Sequence, residues 1–344
     1  MKLDIQFPSG SVRMHFATEP FDWSVIGLVK DKILITNKHI ARLYPNLFAN
    51  EKTLVISAGE HTKDIGTIAY LAGELLKLEA TRSTMLIGVG GGVITDITGF
   101  LASIYMRGIS FGFIPTSLLG MVDASIGGKN GVNVNLNKNI LGVFHHPEFI
   151  VFDTSFLKTL PNPEWSNGFA EIIKYAICFD PDFFTELSRK YLPFYKEDTG
   201  ALSDVIKKCV AIKCRIVSGD ENESGERKLL NFGHTVGHAI ENLYGLSHGN
   251  AVAIGMQIAC RISEKVCGLN PEVTEKLLKV LRQYYLPVSQ PVATTKVMEI
   301  LKMDKKRNGD SINFILLEAT GKAVIKPLSF DIIEQAMVEY ERNN

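Results

Sequence analysis

Three of the chain's eight histidines lie within one stretch of fifteen residues, which is the arrangement most directly suited to chemistry. His234 and His238 are four residues apart, so on a helix they share one face. His248 follows them after a turn at Gly245. A catalytic zinc site takes three protein ligands and keeps a further position open. We therefore predict a metal site formed by histidines of this stretch and one carboxylate, for which Glu171 is the best candidate.

The sequence leaves two ligand sets open. If Glu171, His234 and His248 hold the ion, His238 becomes a candidate general acid or base, or an outer support of the metal site. The alternative places His238 on the metal and His248 outside. Residue types and spacing do not choose between these sets.

A glycine-rich run follows a short apolar segment that ends at Val89. The run Gly90–Gly92 lets backbone N–H groups approach a pyrophosphate, and a helix that begins there favours the negative charge. The plainer interpretation is a tight turn from strand to helix, since the pattern is not G-x-G-x-x-G. Asp96 either orients a group of a ligand or caps this helix.

Several cations accompany these motifs. Asp123 and Lys129 lie in a stretch of small and polar residues that is typical of a ligand-binding loop, although a solvated turn is the alternative. Lys174 is one helical turn from Glu171, where an ordinary surface ion pair is the default. Cations from several elements would together recognise a substrate with carboxylate or phosphate groups. The candidates are Lys129, Lys138, Lys174, Lys213 and Arg227, and Lys305–Lys306 either join them or form a solvated turn.

In the first half of the chain, short apolar runs alternate with helical patterns. The strands and helices that they predict must position these groups. This alternation predicts an α/β fold with a mostly parallel sheet. Beyond residue 160, helical periodicity dominates until a strand-like run at 313–317. We therefore predict two domains, residues 1–160 and 161–344, of which the second is mainly α-helical and binds the metal. The strand-like runs of the first are 32–36, 53–57, 84–89, 110–114 and 149–152.

Composition excludes several functional classes. The 344 residues are 46% hydrophobic and carry 37 basic and 37 acidic side chains, which argues against a nucleic-acid or membrane-surface protein. Five scattered cysteines without a C-x-x-C pair are typical of reduced thiols. The start of the chain has no apolar leader, and no apolar run reaches eighteen residues. We expect a cytoplasmic protein.

Six stretches, in order along nearly the whole chain, resemble the 3-dehydroquinate synthases, a family of sugar-phosphate cyclases. They are Gly90–Gly99, Tyr105–Gly108, Pro115–Lys129, Lys138–Asn139, Glu171–Lys174 and Asn231–His238. The resemblance implies a Rossmann-like N-terminal domain that binds NAD and a helical C-terminal domain that binds Zn²⁺, with Co²⁺ possible because the ligand preferences of these two metals overlap. It also implies a homodimer.

The resemblance further implies a reaction. 3-Deoxy-D-arabino-heptulosonate 7-phosphate is converted to 3-dehydroquinate and phosphate in the shikimate route to aromatic amino acids. The steps are transient oxidation by NAD, phosphate elimination, reduction, ring opening and intramolecular aldol closure, with no net redox change. Sister cyclases that make 2-deoxy-scyllo-inosose or 2-epi-5-epi-valiolone are close competitors, and a metal-dependent polyol dehydrogenase is another. A neutral polyol needs no cage of cations, which disfavours the dehydrogenase. A non-catalytic module that binds metal and nucleotide is the third competitor.

By motif match, the resemblance assigns Glu171, His234 and His248 to the metal and His238 to proton transfer. It assigns Arg107 to the partner subunit's site. The remaining catalytic and substrate-binding candidates are Lys129, Lys174, Lys213, Arg227, Asn231, Asn139 and Asp123. The NAD-binding candidates are Glu60, Lys63, Gly91, Gly92, Val93, Thr95, Asp96, Thr116, Ser117, Lys129, Lys138, Phe156, Leu157 and Thr159.

Overall fold

The computed structural model describes residues 1–17, 21–27, 29, 31–135, 137–303, 307–308 and 311–342. The cations at Lys305–Lys306 lie outside the described residues. The chain divides into two compact units. Unit 1 contains Met1–Glu164 and Ile206–Asn222, and unit 2 contains Trp165–Val205 and Glu223–Asn344. A return of the chain to unit 1 was not foreseen in the predicted division at residue 160.

Unit 1 is built on a mostly parallel sheet, which, among the described residues, has seven strands in the order β1-β2-β9-β6-β5-β3-β4. Only β1 and β2 pair antiparallel within it. The strands are β1 (Lys2–Phe7), β2 (Gly10–Phe16), β3 (Lys32–Asn37), β4 (Thr53–Ile56), β5 (Met85–Gly90), β6 (Phe111–Pro115) and β9 (Phe149–Phe152). Two further strands, β7 (Lys129–Val134) and β8 (Asn137–Phe144), form a separate hairpin. The helices are α1 (Lys38–Leu43), α2 (Pro45–Phe48), α3 (Ile65–Lys77) and α4 (Gly92–Ile104).

The central strands of this sheet are buried on both faces. Every residue of β6 is buried, and so is every residue of β5 after Met85. In the sequence such strands are continuous apolar runs, because helices and loops cover both faces of a parallel sheet. Parallel strands point the same way, so the loops that follow β5 and β6 emerge at one edge. That edge carries the glycine-rich run and Thr116.

Unit 2 is mainly helical. Its elements are α5 (Asn162–Phe179, which begins just before the unit), α6 (Pro181–Ser188), α7 (Leu192–Glu197), α8 (Thr199–Gly219), α9 (His234–Tyr244), α10 (His248–Cys267), α11 (Pro271–Gln283), α12 (Thr294–Met303), β10 (Arg307–Asn308), β11 (Ser311–Ala319), β12 (Lys322–Ser329) and α13 (Phe330–Arg342). The three strands form an antiparallel sheet. Helix α8 begins in unit 2 and ends in unit 1.

Two helices form the core of unit 2. Every residue of α5 from Trp165 to Cys178 is buried, including Glu171 and Lys174. Helix α10 is buried through most of Gly249–Ser263. A helix that is covered on all sides belongs to a domain interior, so charged groups on it must be paired there. The exposed helical face that a surface ion pair at Glu171 and Lys174 would need does not exist.

The predicted α/β fold with a mostly parallel sheet and a helical second half is confirmed. Each predicted strand is present to within two residues, and 313–317 is the centre of β11. Some elements were not predicted, namely the β1–β2 hairpin, the β7–β8 hairpin and β12. The stretch with Lys129 was predicted as a loop or turn, but Lys129 begins a strand and Asp123 lies in a single π-helical turn, Gly120–Ala124. None of the described helices is long and apolar enough to span a bilayer.

Candidate active site

The predicted metal-binding residues come together within unit 2. Glu171 is supplied by the middle of α5, His234 is the first residue of α9, and His248 is the first residue of α10. One ligand atom from each lies within 4.8 Å of the others. Glu171 is fully buried, whereas the His248 side chain is 28% exposed. One side of the cluster is therefore accessible from outside the protein.

The spacing of these atoms fits a tetrahedral metal ion. The Glu171 carboxylate oxygen Oε1 lies 3.4 Å from Nε2 of His234 and 3.2 Å from Nε2 of His248. Two ligands that each lie about 2.1 Å from a tetrahedral zinc ion are about 3.4 Å apart. Two imidazole nitrogens and one carboxylate oxygen are also a donor set found in catalytic zinc sites. The residues present therefore fit the ion that the resemblance implies.

The tautomer of His234 is fixed by the backbone. Its Nδ1 lies 3.1 Å from the carbonyl oxygen of Phe232, so Nδ1 donates a proton there and Nε2 presents its lone pair. Burial lowers the pKa of His234, and nearby Lys174 lowers it further against the opposing effect of Glu171. A neutral imidazole with Nε2 unprotonated is the form that binds a metal.

Glu171 and His248 carry the charges of the cluster. Burial alone would raise the pKa of Glu171, but Lys174 and the two imidazoles outweigh burial and hold that pKa well below its usual range. Burial would likewise lower the pKa of His248, but its interactions with Glu171 and Glu241 outweigh burial and raise the pKa to about 9. The His248 imidazole lies between two carboxylates, which favour its protonated form. Metal binding requires the neutral imidazole, so a metal ion would compete with that proton.

Lys174 approaches the carboxylate oxygen of Glu171 that does not face the imidazoles. Its ammonium forms an ion pair with Oε2, and the lysine side chain is 2% exposed. One carboxylate oxygen of Glu171 thus pairs with Lys174. The other faces the two imidazoles and is the proposed metal ligand. The predicted neighbourhood of Lys174 and Glu171 is present, but as a buried pair.

A second group of possible ligands overlaps the first. Among the described residues, the groups that could hold a metal are Glu171 with His234 and His248, and His238 with Glu241 and His248. His248 belongs to both, so the alternative set that uses His238 and omits His248 is disfavoured. Glu241 was not singled out in the sequence, although it lies seven residues after His234 and therefore on the same face of α9.

A short 3₁₀ helix, Glu226–Asn231, carries two predicted substrate-binding residues of unit 2. Arg227 is 1% exposed, and Asn231 Nδ2 donates to Oε1 of Glu223 at 2.6 Å. Glu223 has a backbone φ of 57°, in the left-handed region that non-glycine residues seldom adopt. Sequence reasoning missed Glu223, because a polar run before Arg227 looks like a solvated loop. A strained backbone at a hydrogen-bonded glutamate is typical of a functional position.

In unit 1, the glycine-rich run makes the tight passage from β5 to α4. Gly91 precedes the first residue of α4, and a Cβ at Gly90 would lie 2.6 Å from the Ile94 side chain. Asp96 is in the second turn of α4, so the proposed capping role is wrong: an N-cap residue precedes the helix. The Asp96 carboxylate instead pairs with the ammonium of Lys63. Burial raises the pKa of Asp96, and Lys63 opposes that shift.

Lys63 connects further predicted residues. Its ammonium donates to Oδ1 of Asn139 at 2.6 Å, and the backbone N–H of Asn139 donates to Oδ1 of Asn133 at 2.9 Å. Asn133 Nδ2 also donates to Oε1 of Glu60 at 2.9 Å. Three predicted residues are therefore joined through Asn133, which the sequence did not mark. The strand β8 residue Asn139 has a φ of 52°.

Asp123 contacts a second cation of unit 1, Lys213. Lys213 on α8 forms an ion pair with the Asp123 carboxylate and also donates to the Asp123 carbonyl oxygen at 2.9 Å. The Lys213 side chain is 9% exposed. Both residues are predicted to belong to the substrate site, and their contact tests neither role.

Other NAD candidates lie along the same sheet edge or beside it. The Thr116 backbone N–H donates to the carbonyl of Gly90 at 2.9 Å, and Ser117 Oγ accepts from the N–H of Gly120 at 3.1 Å. Thr95 is buried, and its hydroxyl donates to the carbonyl of Gly92 at 2.9 Å. Gly92 and Val93 form the first turn of α4, whereas Lys129 is exposed and Lys138 is half-buried on the β7–β8 hairpin.

The segment 154–159 is a 3₁₀ helix with its apolar side chains in the core. Phe156 and Leu157 are 4% and 2% exposed. Tyr44 donates to the carbonyl of Phe156 at 3.1 Å, and its hydroxyl lies 2.7 Å from that of Thr159. Any contact of Phe156 or Leu157 with a cofactor would thus be made by the backbone.

Arg107 is exposed at the end of a short 3₁₀ turn, Tyr105–Arg107. Met106 and Arg107 have φ values of 49° and 69°, so two successive non-glycine residues adopt left-handed backbone. Of the three residues of this turn, Arg107 is the predicted catalytic residue.

Solved structures with the same fold include two synthases that were solved with NAD⁺ and a divalent metal bound. The 2-epi-5-epi-valiolone synthase of Streptomyces hygroscopicus subsp. jinggangensis 5008, solved with NAD⁺ and Zn²⁺ bound, is 27% identical with a TM-score of 0.89, and the match covers 97% of each chain. A 2-deoxy-scyllo-inosose synthase, complexed with carbaglucose-6-phosphate, NAD⁺ and Co²⁺, is 24% identical with a TM-score of 0.87 over 99% of this chain and 100% of that one.

The sequence comparison is more specific. The family model for the N-terminal part of 3-dehydroquinate synthase matches residues 53–167, and the model for the C-terminal part matches residues 168–307. The 3-dehydroquinate synthase of Pyrococcus furiosus is 42% identical over 290 residues, which are 84% of this chain and 84% of that protein. The chain therefore belongs to the 3-dehydroquinate synthase family.

Proposed function

We propose that the protein catalyses the 3-dehydroquinate synthase reaction, converting 3-deoxy-D-arabino-heptulosonate 7-phosphate to 3-dehydroquinate and phosphate. It uses NAD and a divalent metal with no net redox change. The observation that carries the proposal is the Glu171–His234–His248 cluster with ligand-like spacing in a chain 42% identical to a 3-dehydroquinate synthase over most of its length.

Glu171, His234 and His248 would hold Zn²⁺, with Co²⁺ as an alternative. When bound there, the ion would polarise a substrate hydroxyl and lower its pKa. The chain's own residues prepare this position. The Phe232 carbonyl fixes the tautomer of His234, and Lys174 neutralises the oxygen of Glu171 that faces away from the imidazoles. His238, four residues after His234 on the same face of α9, would accept or donate a proton beside the ligands.

Unit 1 would bind NAD at the carboxyl edge of its sheet. The cofactor supplies transient hydride acceptance and return. The Gly90–Gly92 passage offers backbone N–H groups at the start of α4, where an anionic diphosphate is favoured. Lys63, held by Asp96 and Asn139, provides a fixed positive charge near that edge. Glu60 is joined to this group through Asn133.

Each unit carries cations that are suited to anionic groups of a substrate. Lys213 is aimed by Asp123, and Asn231 is oriented by Glu223. Arg227 is buried in the same 3₁₀ helix as Asn231, and Lys129 is exposed at the start of β7. Cations of this kind suit a substrate that carries both a carboxylate and a phosphate, whereas a neutral polyol would need none of them.

The protein is also proposed to act as a homodimer in the cytoplasm, with Arg107 contributed to the partner subunit's site. Arg107 is exposed on a turn with left-handed backbone. Beside it, Ile104 and Met106 are 46% and 38% exposed. Exposed apolar side chains around an arginine are typical of a protein interface. Light scattering on the wild type and on an Arg107→Ala variant, with activity measured in mixtures of inactive variants, tests this arrangement.

The function is tested by measuring phosphate release from the heptulosonate phosphate with catalytic NAD and added zinc, while NADH absorbance is followed in parallel. Phosphate release without accumulating NADH is the expected result. No phosphate release would refute the proposed substrate, and release from other sugar phosphates would then identify a sister cyclase. Steady NADH formation with a polyol would indicate a dehydrogenase. Tight NAD binding without turnover would indicate a regulatory module.

A further inference from the structure

Glu241 lies against the outer nitrogen of His248. The helix α9 places Glu241 near its C-terminal end, and a left-handed Gly245 ends that helix two residues before the N-cap of α10. His248 Nδ1 lies 3.5 Å from Oε2 of Glu241, while Nε2 lies 3.2 Å from Oε1 of Glu171. The imidazole thus lies between a carboxylate on each side. Glu241 is 9% exposed, so its charge is poorly screened by solvent.

The two ring nitrogens of a metal-bound histidine have different tasks. If Nε2 binds the ion, the proton of the neutral ring is on Nδ1 and needs an acceptor. For His234, that acceptor is the Phe232 carbonyl. For His248, Glu241 is in the corresponding place. A carboxylate is a stronger acceptor than a carbonyl, because its full charge strengthens the hydrogen bond and makes the imidazole more electron-rich.

We propose that Glu241 is a positioning residue that accepts the Nδ1 proton of His248 and directs Nε2 toward the metal position. Glu241 does not bind the metal in this arrangement. His248 needs such a residue more than His234 does, because its side chain is 28% exposed, against 10% for His234. Without Glu241, the exposed ring can rotate about its side-chain bonds and present either nitrogen.

The inference rests on the metal site of the proposed function, but its test does not use turnover. Zinc affinity is measured on the metal-free protein by competition with a chromophoric chelator at fixed pH. Glu241→Ala should weaken zinc binding about 10–100-fold, the effect expected for removing an outer partner of a ligand. Glu241→Gln keeps a neutral acceptor of the same shape and should lose less. The cobalt-substituted Glu241→Ala protein should also show altered visible absorption bands, because those bands report ligand geometry.

Two control variants separate positioning from general damage. Glu264 lies on α10, the helix that His248 begins, and accepts hydrogen bonds from Arg261 and Thr274. Glu264→Gln should lower thermal stability without changing zinc affinity or the cobalt spectrum. His238→Ala tests whether the metal lies instead among His238, Glu241 and His248. It should leave zinc affinity near that of the wild type.

Three results would overturn the inference. The first is wild-type zinc affinity and an unchanged cobalt spectrum in both Glu241 variants. The second is an equal loss of zinc in Glu264→Gln, which would make the effect one of stability. The third is a loss in His238→Ala as large as in Glu241→Ala, which would make Glu241 a ligand. Failure of the proposed function is distinguishable, because absence of phosphate release would leave all these affinities unchanged.

Discussion

Replacing Glu171 by glutamine separates its two possible roles, metal ligand and buried partner of Lys174. The substitution keeps the shape of the side chain and removes its charge. Even outer partners of metal ligands are worth about 10–100-fold in affinity, so loss of a ligand itself should weaken zinc binding at least about 100-fold. The spacing of Oε1 from both imidazole nitrogens, 3.4 and 3.2 Å, is the basis of this expectation.

The same variant should be less stable without metal. Removing one partner of a buried ion pair costs about 3–5 kcal/mol, since the other charge remains buried. For a folded unit of this size, about 2–4 °C of melting temperature corresponds to each kcal/mol, so a fall of about 6–20 °C is expected. Circular dichroism at the assay temperature must show that the variant is folded before its zinc affinity is measured.

Lys174→Met is the matched variant. Lys174 contacts Oε2 of Glu171, not the oxygen that faces the imidazoles. It should therefore destabilise the metal-free protein in the same way but keep zinc affinity within about tenfold of wild type, because all three ligands stay in place and one nearby positive charge is removed. Zinc binding by Glu171→Gln within threefold of wild type, or equal losses in both variants, would refute the ligand assignment.

Three further predictions address unit 1. Lys213→Ala should lower kcat/KM at least about 100-fold, or ~2.7 kcal/mol, with NAD and zinc binding retained; Lys208→Ala on the same helix is the control, and near-normal turnover would remove Lys213 from the anion site. Asp96→Asn should weaken NAD binding by about tenfold in a fluorescence titration and leave zinc binding unchanged, because Lys63 loses the charge that holds it; unchanged NAD affinity would contradict this. Burial would raise the pKa of Glu221, but hydrogen bonds from Ser9 and His146 outweigh burial and lower it, so its stabilising effect is present above about pH 4.5 and is lost as pH falls through the lowered pKa. Glu221→Gln should therefore melt about 2–4 °C below wild type at pH 7, with a gap that narrows below pH 4.5; a gap independent of pH would show that charge is not involved.

The strands that the sequence revealed are those buried on both faces. Apart from Thr84, the run 84–89 has no polar side chain, and burial in a parallel sheet is the main reason for such runs. Strands β7 and β8 were missed because they contain asparagine and glycine, which are depleted in strands. Their pairing depends on the tertiary setting of a hairpin, which no local pattern encodes. Strand β1 is mostly exposed, and its alternation of three polar with three apolar residues was overlooked in the prediction.

The candidate site was predictable where one helix fixes the spacing. His234 and His238 share a face of α9 because helical geometry requires it. The pairing of Lys63 with Asp96 was not predictable, because it joins residues 33 positions apart in the chain through the packing of the sheet edge. Glu241 could not be predicted for a different reason. Its proposed role depends on the orientation of the His248 ring, which the sequence does not determine.

The division of α8 between the two units has a consequence for synthesis on the ribosome. Unit 1 contains Ile206–Asn222 as well as the first 164 residues, so its final segment emerges only after a large part of unit 2 has been made. The N-terminal unit therefore cannot complete its fold in the order in which it is translated. A nascent chain that ends before residue 206 lacks Lys213, the partner of Asp123, and the buried Ile206, Cys209, Val210 and Cys214. Unit 1 therefore stays incomplete on the ribosome until Ile206–Asn222 has been synthesised.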